Sequence, residues 1–586
     1  DYTDTNMFMN ENSQEKSNDY ESWSDLEKKV IKKISQLDIN SPINVLRKEL
    51  SDTCYKFSEC STGIYCLPIP TGGGKTITSL RYAISHAKKF SKSRIIYVAP
   101  YLSILEQNAN VYRNILDNDD LILEHHSNVI LSDYESDELY RYLIDTWDRP
   151  IILTTMVQFL NVLFSGNMQN IRRMHQLANS IIIFDEIQSL PINIISMFNS
   201  MMNFLCKICN TTIILSSATQ PLLGDVERKI LYSEPVNMIK NVGLISSKFK
   251  RTDIIPITEK FNIEKMSNFI SEKIEEVDSL LVILNTKKAV RQLYERIKSY
   301  ITNVNIYQLT TFMCAEHRKD ILGEIKKYLG RKKIICISTQ LIEAGVDISF
   351  HCVIRSLAGL DSIAQAAGRC NRNGEIDGFG KVFVINYLEE DLSKLLDIKN
   401  AQNQAEKVIY NYLQNPAMYD NDLISPKAIE AFYKFYFFDR KNEMDYQVNK
   451  YMSLYDLLSL NTQGKKAYED IIGTSPDINL IQAYKTAGEY FEVIGSKTIG
   501  LLVPYKEGKA YIEKIKKSND LKEIKDNLRR MQRYTVNLYQ NSQIIQDLIS
   551  RHAIDNSVLD GSILILHDSF YNDEYGVTDE LTVDII

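Results

Sequence analysis

Ser180-Ile181-Ile182-Ile183-Phe184-Asp185-Glu186-Ile187-Gln188 is the stretch whose reading decides the fold. The apolar run Ile181 to Phe184 has the length of a strand buried on both faces, the pattern of a parallel sheet. It ends on two adjacent carboxylates, Asp185 and Glu186. Two acids at a strand end cost desolvation unless something there requires negative charge. A magnesium ion and an attacking water, the two demands of nucleoside triphosphate hydrolysis, meet that requirement.

Toward the N-terminus, Pro70-Thr71-Gly72-Gly73-Gly74-Lys75-Thr76 follows the apolar run Ile64–Ile69 and opens a helical pattern at Lys75. Thr71, Gly72, Gly73 and Gly74 read as a loop that turns tightly and aims N–H groups at phosphate oxygens. The helix start adds partial positive charge. Lys75 is expected on the β- and γ-phosphates and Thr76 on magnesium. The loop departs from G-x-x-x-x-G-K-[ST] at position 69, which is Ile. In this reading Asp185 also holds magnesium, and Glu186 orients and deprotonates the attacking water. Gln188 senses the γ-phosphate or bridges to a second lobe. Ser217 and Thr219 relay the state of the acid loop. ATP and Mg2+ are therefore the expected cofactors. No upstream Gln motif marks the adenine, and Arg47 is the candidate there.

Further runs at Ile95–Ala99, Leu121–Leu123, Ile151–Leu153 and Thr212–Leu215 alternate with helical segments. That alternation predicts an α/β fold with a parallel sheet covered on both faces. The pattern restarts after a polar stretch near 241–252, with strands expected at Leu280–Leu284, Val304–Leu309, Lys333–Ile337, Cys352–Arg355 and Val382–Ile385. The expected organisation is a linker or tail at 1–21, a first lobe with the ATP site at 22–245, and a second lobe at 246–388. A helical, Tyr-rich linker at 389–479 and a small accessory domain at 480–586 follow.

In the second lobe, Gly345, Asp347 and Gln365 are candidates for the nucleotide, Asp347 through the ribose or by coupling the lobes. Arg369 and Arg372, expected at i and i+3 of one helix, share a face and suit a phosphoryl transition state as arginine fingers. Candidate nucleic-acid contacts are residues following strands: Pro100, Ser103, Thr154, Thr155, Gln158, Asn285, Thr286, Ser338 and Thr339. Contacts of this kind favour the phosphate backbone and carry no sequence preference. Each such residue also suits a helix N-cap.

The 586 residues exceed one core and predict three or four domains. A net charge of −7 excludes a wholly basic, charge-driven nucleic-acid binder, but not a local basic groove. Nine cysteines lack a repeated spacing, and Cys206-Lys207-Ile208-Cys209 reads as core, consistent with reduced thiols and a cytoplasmic protein. No apolar run reaches the ~18 residues of a membrane span.

These blocks, in this order, resemble a superfamily 2 helicase with two tandem RecA-like lobes over roughly residues 64–375. More narrowly they resemble the CRISPR-associated helicase–nuclease family of type I systems, on PTGGGKT, VAPYLSILEQNA, WDRPIILTTMVQF, FDEIQSLP, SSATQP, STQLIEAGVDISF and DSIAQAAGRCNRNG. AYKTAGEYFEVI, LLVPYKEGKAYIEKI and LRRMQRYTVNLY resemble its accessory domain. The resemblance implies ATP-driven 3′ to 5′ translocation on single-stranded DNA after recruitment by a crRNA-guided surveillance complex. Many members also carry an N-terminal HD nuclease. Here no His precedes the phosphate loop, so that nuclease is expected to be trimmed or a separate polypeptide. His125-His126 reads as structural or groove-lining, and His567-Asp568 as an isolated pair. The rival readings are another superfamily 2 repair or RNA helicase, and a non-catalytic nucleic-acid-binding scaffold.

Overall fold

The structure, a computed structural model, describes residues 20–36, 38, 41–126, 143–343, 345–477, 481–493, 498–559 and 561–579. The expected tail therefore lies almost wholly outside the described residues. The chain folds as two compact units, each built from two segments: Asp1–Phe249 with Tyr433–Val493, and Lys250–Phe432 with Ile494–Ile586.

The first unit is built on six strands: β1 (Ile64–Leu67), β2 (Arg94–Ala99), β3 (Ile122–His125), β4 (Ile151–Thr155), β5 (Ser180–Phe184) and β6 (Thr212–Ser216). All pair in parallel, in the order β1-β6-β5-β2-β4-β3. Every residue of β5 is buried, as an apolar strand with neighbours on both sides and helices on both faces requires. Strands β1, β6 and β5 lie side by side, so the loops leaving their carboxyl ends converge on one edge of the sheet. Helix Lys75–Phe90 buries Leu80, Tyr82, Ala83 and His86.

The segment 433–493 belongs to this unit. Arg228 pairs with Asp445 at 2.9 Å. Gly166 N–H donates to Gly488 O at 3.3 Å, and the Phe164 and Phe491 rings lie 5.3 Å apart.

The second unit repeats the plan with β7 (Thr252–Phe261), β8 (Ser279–Ile283), β9 (Asn305–Leu309), β10 (Ile334–Ser338), β11 (Cys352–Ser356) and β12 (Gly380–Tyr387), in the parallel order β7-β12-β11-β8-β10-β9. Strand β7 is an addition to the expected set. It is an edge strand with Pro256 inside it and several exposed residues, so it lacks the apolar run of a central strand. A four-stranded sheet of Thr498–Leu502, Thr535–Tyr539, Ile554–Val558 and Ile563–Leu566 follows, closed over Leu501, Val503, Met531 and Leu548. The helical stretch expected at 389–479 is divided, residues up to 432 belonging with the second unit and the rest with the first.

Candidate nucleotide site

The loop after β1 is shaped by its glycines. Gly72 and Gly74 hold φ of +78° and +83°, the left-handed region that other residues enter only at a cost. A Cβ on Gly73 would lie 2.5 Å from Ile69 Cγ2, so the Ile that breaks the usual motif packs directly beneath the loop. Gly74 begins helix Lys75–Phe90 without a side-chain cap. A helix start of this kind matches an anionic ligand. Arg47 braces the loop, donating Nε–H to Gly72 O at 2.8 Å and Nη1–H to Asn44 Oδ1 at 2.8 Å.

The acids after β5 meet that loop. Lys75 Nζ lies 2.8 Å from Glu186 Oε1, both side chains more than four-fifths buried. Glu186 itself takes the left-handed region at φ +48°. Gln188 Nε2 donates to Glu186 Oε2 at 2.6 Å, and Ser217 Oγ donates to Gln188 Oε1 at 2.6 Å. Thr219 N–H donates to Ser217 Oγ at 2.9 Å. Ser217 and Thr219 are thus joined to Glu186 by a continuous chain of hydrogen bonds.

Two residues with no recognisable sequence signal complete the cluster. Tyr97 Oη, on β2 beside β5, donates to Asp185 Oδ2 at 2.6 Å. Asn108 Nδ2 donates to Tyr97 Oη at 2.8 Å, and Thr76 Oγ1 donates to Asn108 Oδ1 at 2.8 Å. Burial, then the neighbouring Glu186 charge, pushes the Asp185 carboxyl above its ordinary pKa, with Lys75 opposing. The Thr76 hydroxyl and Asp185 carboxylate are hard oxygen donors of the kind magnesium takes, so the residues present fit that ion.

In the second unit, helix Leu360–Ala367 carries half-buried Gln365 and stops short of both arginines. Arg369 and Arg372 therefore do not share a helical face: Asn371, at φ +46°, turns the chain between them. Arg369 is buried and donates Nε–H to Ile342 O at 2.9 Å and Nη2–H to Glu343 O at 2.5 Å. Arg372 Nε pairs with Asp347 Oδ1 at 3.0 Å, and Asp347 is exposed. Gly345 turns at φ +72° just before Asp347. Beneath them, Arg355 Nε and Glu343 Oε1 form a buried pair at 2.7 Å. Burial pushes the Glu343 carboxyl up to about 7.

The nucleic-acid candidates separate by environment. Thr154 is buried and donates to His125 O at 3.0 Å. Thr155 and Thr286 cap helices, accepting from the N–H of Gln158 and Ala289. Asn285 is buried, donating to Glu390 and Leu357 O and accepting from Arg355. Ser338 is buried and donates to Leu309 O at 3.1 Å. Ser103 is exposed, while Pro100, Gln158 and Thr339 are half-buried.

His125 accepts from Trp147 Nε1 at 3.2 Å, and burial lowers its pKa to about 3. His126 lies 3.3 Å from Glu124, which also pairs with Arg113. Asp568 pairs with Lys509 at 3.0 Å. Cys206 is buried and Cys209 half-buried. Among the described residues no three His, Cys, Asp or Glu gather as a metal-holding group, and no helix is long and apolar enough to cross a membrane.

The DEAD/DEAH box helicase family model matches residues 59–226, and the model described as CRISPR-associated nuclease/helicase Cas3, C-terminal, matches residues 276–375. Two tandem parallel sheets, with a phosphate loop and paired acids on one edge of the first, are the features this chain shares with the superfamily 2 helicases. Within that class the chain is similar in sequence to the Cas3 helicases. The CRISPR-associated nuclease/helicase Cas3 of Methanothermobacter thermautotrophicus is 24% identical over 334 residues, 53% of this chain and 38% of the relative. The T. fusca Cas3–AMPPNP structure superposes with a TM-score of 0.64 at 14% identity, over 92% of this chain and 68% of that one. A chain in a CRISPR RNA-guided surveillance complex described as pre-nicking gives 0.55 at 13% identity, over 92% and 68%. The chain spans less than half the length of the curated Cas3 relatives it matches, 38% to 49%.

Proposed function

We propose that the chain is an ATP-driven motor on single-stranded DNA, moving 3′ to 5′ and acting in type I CRISPR interference after recruitment by a crRNA-guided surveillance complex. The observation that carries the ATPase reading is the Lys75–Glu186 contact at 2.8 Å, above an uncapped helix start and a positive-φ glycine loop. The Cas3 relatives and the likeness to a surveillance-complex chain support the setting.

Lys75 exchanges its Glu186 partner for phosphate oxygens when nucleotide binds. The released Glu186 carboxylate, still held through Oε2 by Gln188, takes the proton of the attacking water. Thr76 and Asp185 would hold magnesium, which would supply neutralisation of phosphate charge. Arg372, more exposed than Arg369, keeps the arginine-finger role. Arg369 positions the turn that precedes Gly345 and Asp347. Ser103, Pro100, Gln158 and Thr339 are the candidates left accessible to a strand.

The directional part of the proposal is tested by unwinding duplexes with a 3′ or a 5′ single-stranded overhang in ATP and magnesium. Unwinding of the 3′-overhang duplex alone is expected. Equal or reversed preference overturns the polarity.

A further inference from the structure

Thr76, Asn108, Tyr97 and Asp185 form one line of hydrogen bonds of 2.8, 2.8 and 2.6 Å. Its two inner members come from outside the glycine loop and the acid pair, and both are nearly sealed from solvent: Tyr97 is 1% exposed and Asn108 4%. The directions along the line are fixed by chemistry. An ionised carboxylate only accepts, so the Tyr97 O–H must donate to Asp185 Oδ2. Tyr97 Oη then accepts, and only the Nδ2 end of Asn108 donates. The other end, Oδ1, therefore faces Thr76 and takes its hydroxyl proton. With that proton turned toward Asn108, the Thr76 oxygen keeps its lone pairs for another partner. Asp185 is fixed at the same time, Tyr97 donating to Oδ2 and the Glu186 N–H donating to Oδ1 at 3.1 Å.

We propose that Asn108 and Tyr97 are positioning residues that set Thr76 Oγ1 and the Asp185 carboxylate as a matched pair of oxygen donors for a divalent cation. This rests on the ATPase reading above. Partners one shell out from metal ligands hold their orientation, and losing one typically costs 10- to 100-fold in metal affinity. The Tyr97 ring also packs edge-on against Tyr112 at 5.8 Å, so Tyr97→Phe removes the hydroxyl and keeps the packing.

The test is magnesium-dependent binding of a fluorescent ATP analogue by the full chain, wild type against Tyr97→Phe and Asn108→Ala, with the melting temperature in chelator as the fold control. The expected result is a magnesium half-saturation raised about 10- to 100-fold in both variants. Metal-free nucleotide binding stays unchanged, and turnover recovers at high magnesium. In a Thr76→Val background, Asn108→Ala is expected to add little further. Should Asn108→Ala not fold, Tyr97→Phe decides alone. A wild-type magnesium requirement in Tyr97→Phe overturns the proposal, as does an equal loss of metal-free and metal-dependent binding. Wild-type chain without magnesium-dependent nucleotide binding overturns the ATPase reading as well.

Discussion

Glu186 sits at the end of a fully buried strand, in a backbone region that few non-glycine residues enter, with one carboxylate oxygen on Lys75 and the other on Gln188. In the proposed function that arrangement aims a base while holding it beside the cation that phosphate would claim. Glu186→Gln keeps the shape and removes the basicity. It is expected to cut turnover by about 10²- to 10⁴-fold while nucleotide still binds, checked by steady-state hydrolysis beside equilibrium nucleotide titration. That Lys75, Thr76, Asp185, Glu186, Gln188 and Ser217 lie together is legible in the sequence because such residues hold fixed positions around a strand end. The place of Tyr97 and Asn108 is not. Their role depends on β2 lying beside β5 and on a helix packed behind it, relations that no local pattern encodes. Arg369 and Arg372 are candidates by residue type alone, and the shared helical face expected of them fails because the helix ends at Ala367 and Asn371 takes a positive φ.

At the scale of elements, close approaches decide more than propensity. Gly488, in helix Tyr484–Tyr490, packs backbone to backbone on Gly166: an added Cβ would lie 2.5 Å from Gly166 Cα and N. Alanine normally gains about 1 kcal/mol over glycine inside a helix. Here the clash reverses the sign, and Gly488→Ala is expected to destabilise the first unit by about 1–3 kcal/mol in urea unfolding.

Helix Lys75–Phe90 is pinned by His86, which is fully buried, donates Nδ1–H to Ser58 O and accepts at Nε2 from Thr212. Burial lowers its pKa to about 4. The unfolded chain takes up this proton near 6.5, and the folded chain does so only near 4. The unfolded state therefore binds more protons across that window, and stability falls as pH drops from 6.5 to 4. His86 contributes about 3 kcal/mol to that fall. Unfolding followed against pH should show a shallower loss in His86→Gln. The strands themselves were mostly legible, since buried parallel strands are short apolar runs. Strand β7 was hidden by its edge position and Pro256.

At the scale of the whole molecule, each unit is assembled from segments far apart in sequence, 433–493 returning to the first and 494–586 to the second. Linear boundaries drawn from composition miss this, because composition records where a segment is helical and not which core it joins. With a net charge of −7, the proposed strand binding would fall to local groups on strand-end loops, and so to contacts with the sugar–phosphate backbone. The central claim is that this assembly couples ATP hydrolysis to DNA. Steady-state hydrolysis in magnesium, measured alone, with single-stranded DNA and with RNA, for wild type and Glu186→Gln, tests it most directly. The predicted result is stimulation by DNA over RNA that disappears in Glu186→Gln. Turnover indifferent to DNA, stimulation by RNA instead, or activity that survives Glu186→Gln would contradict it.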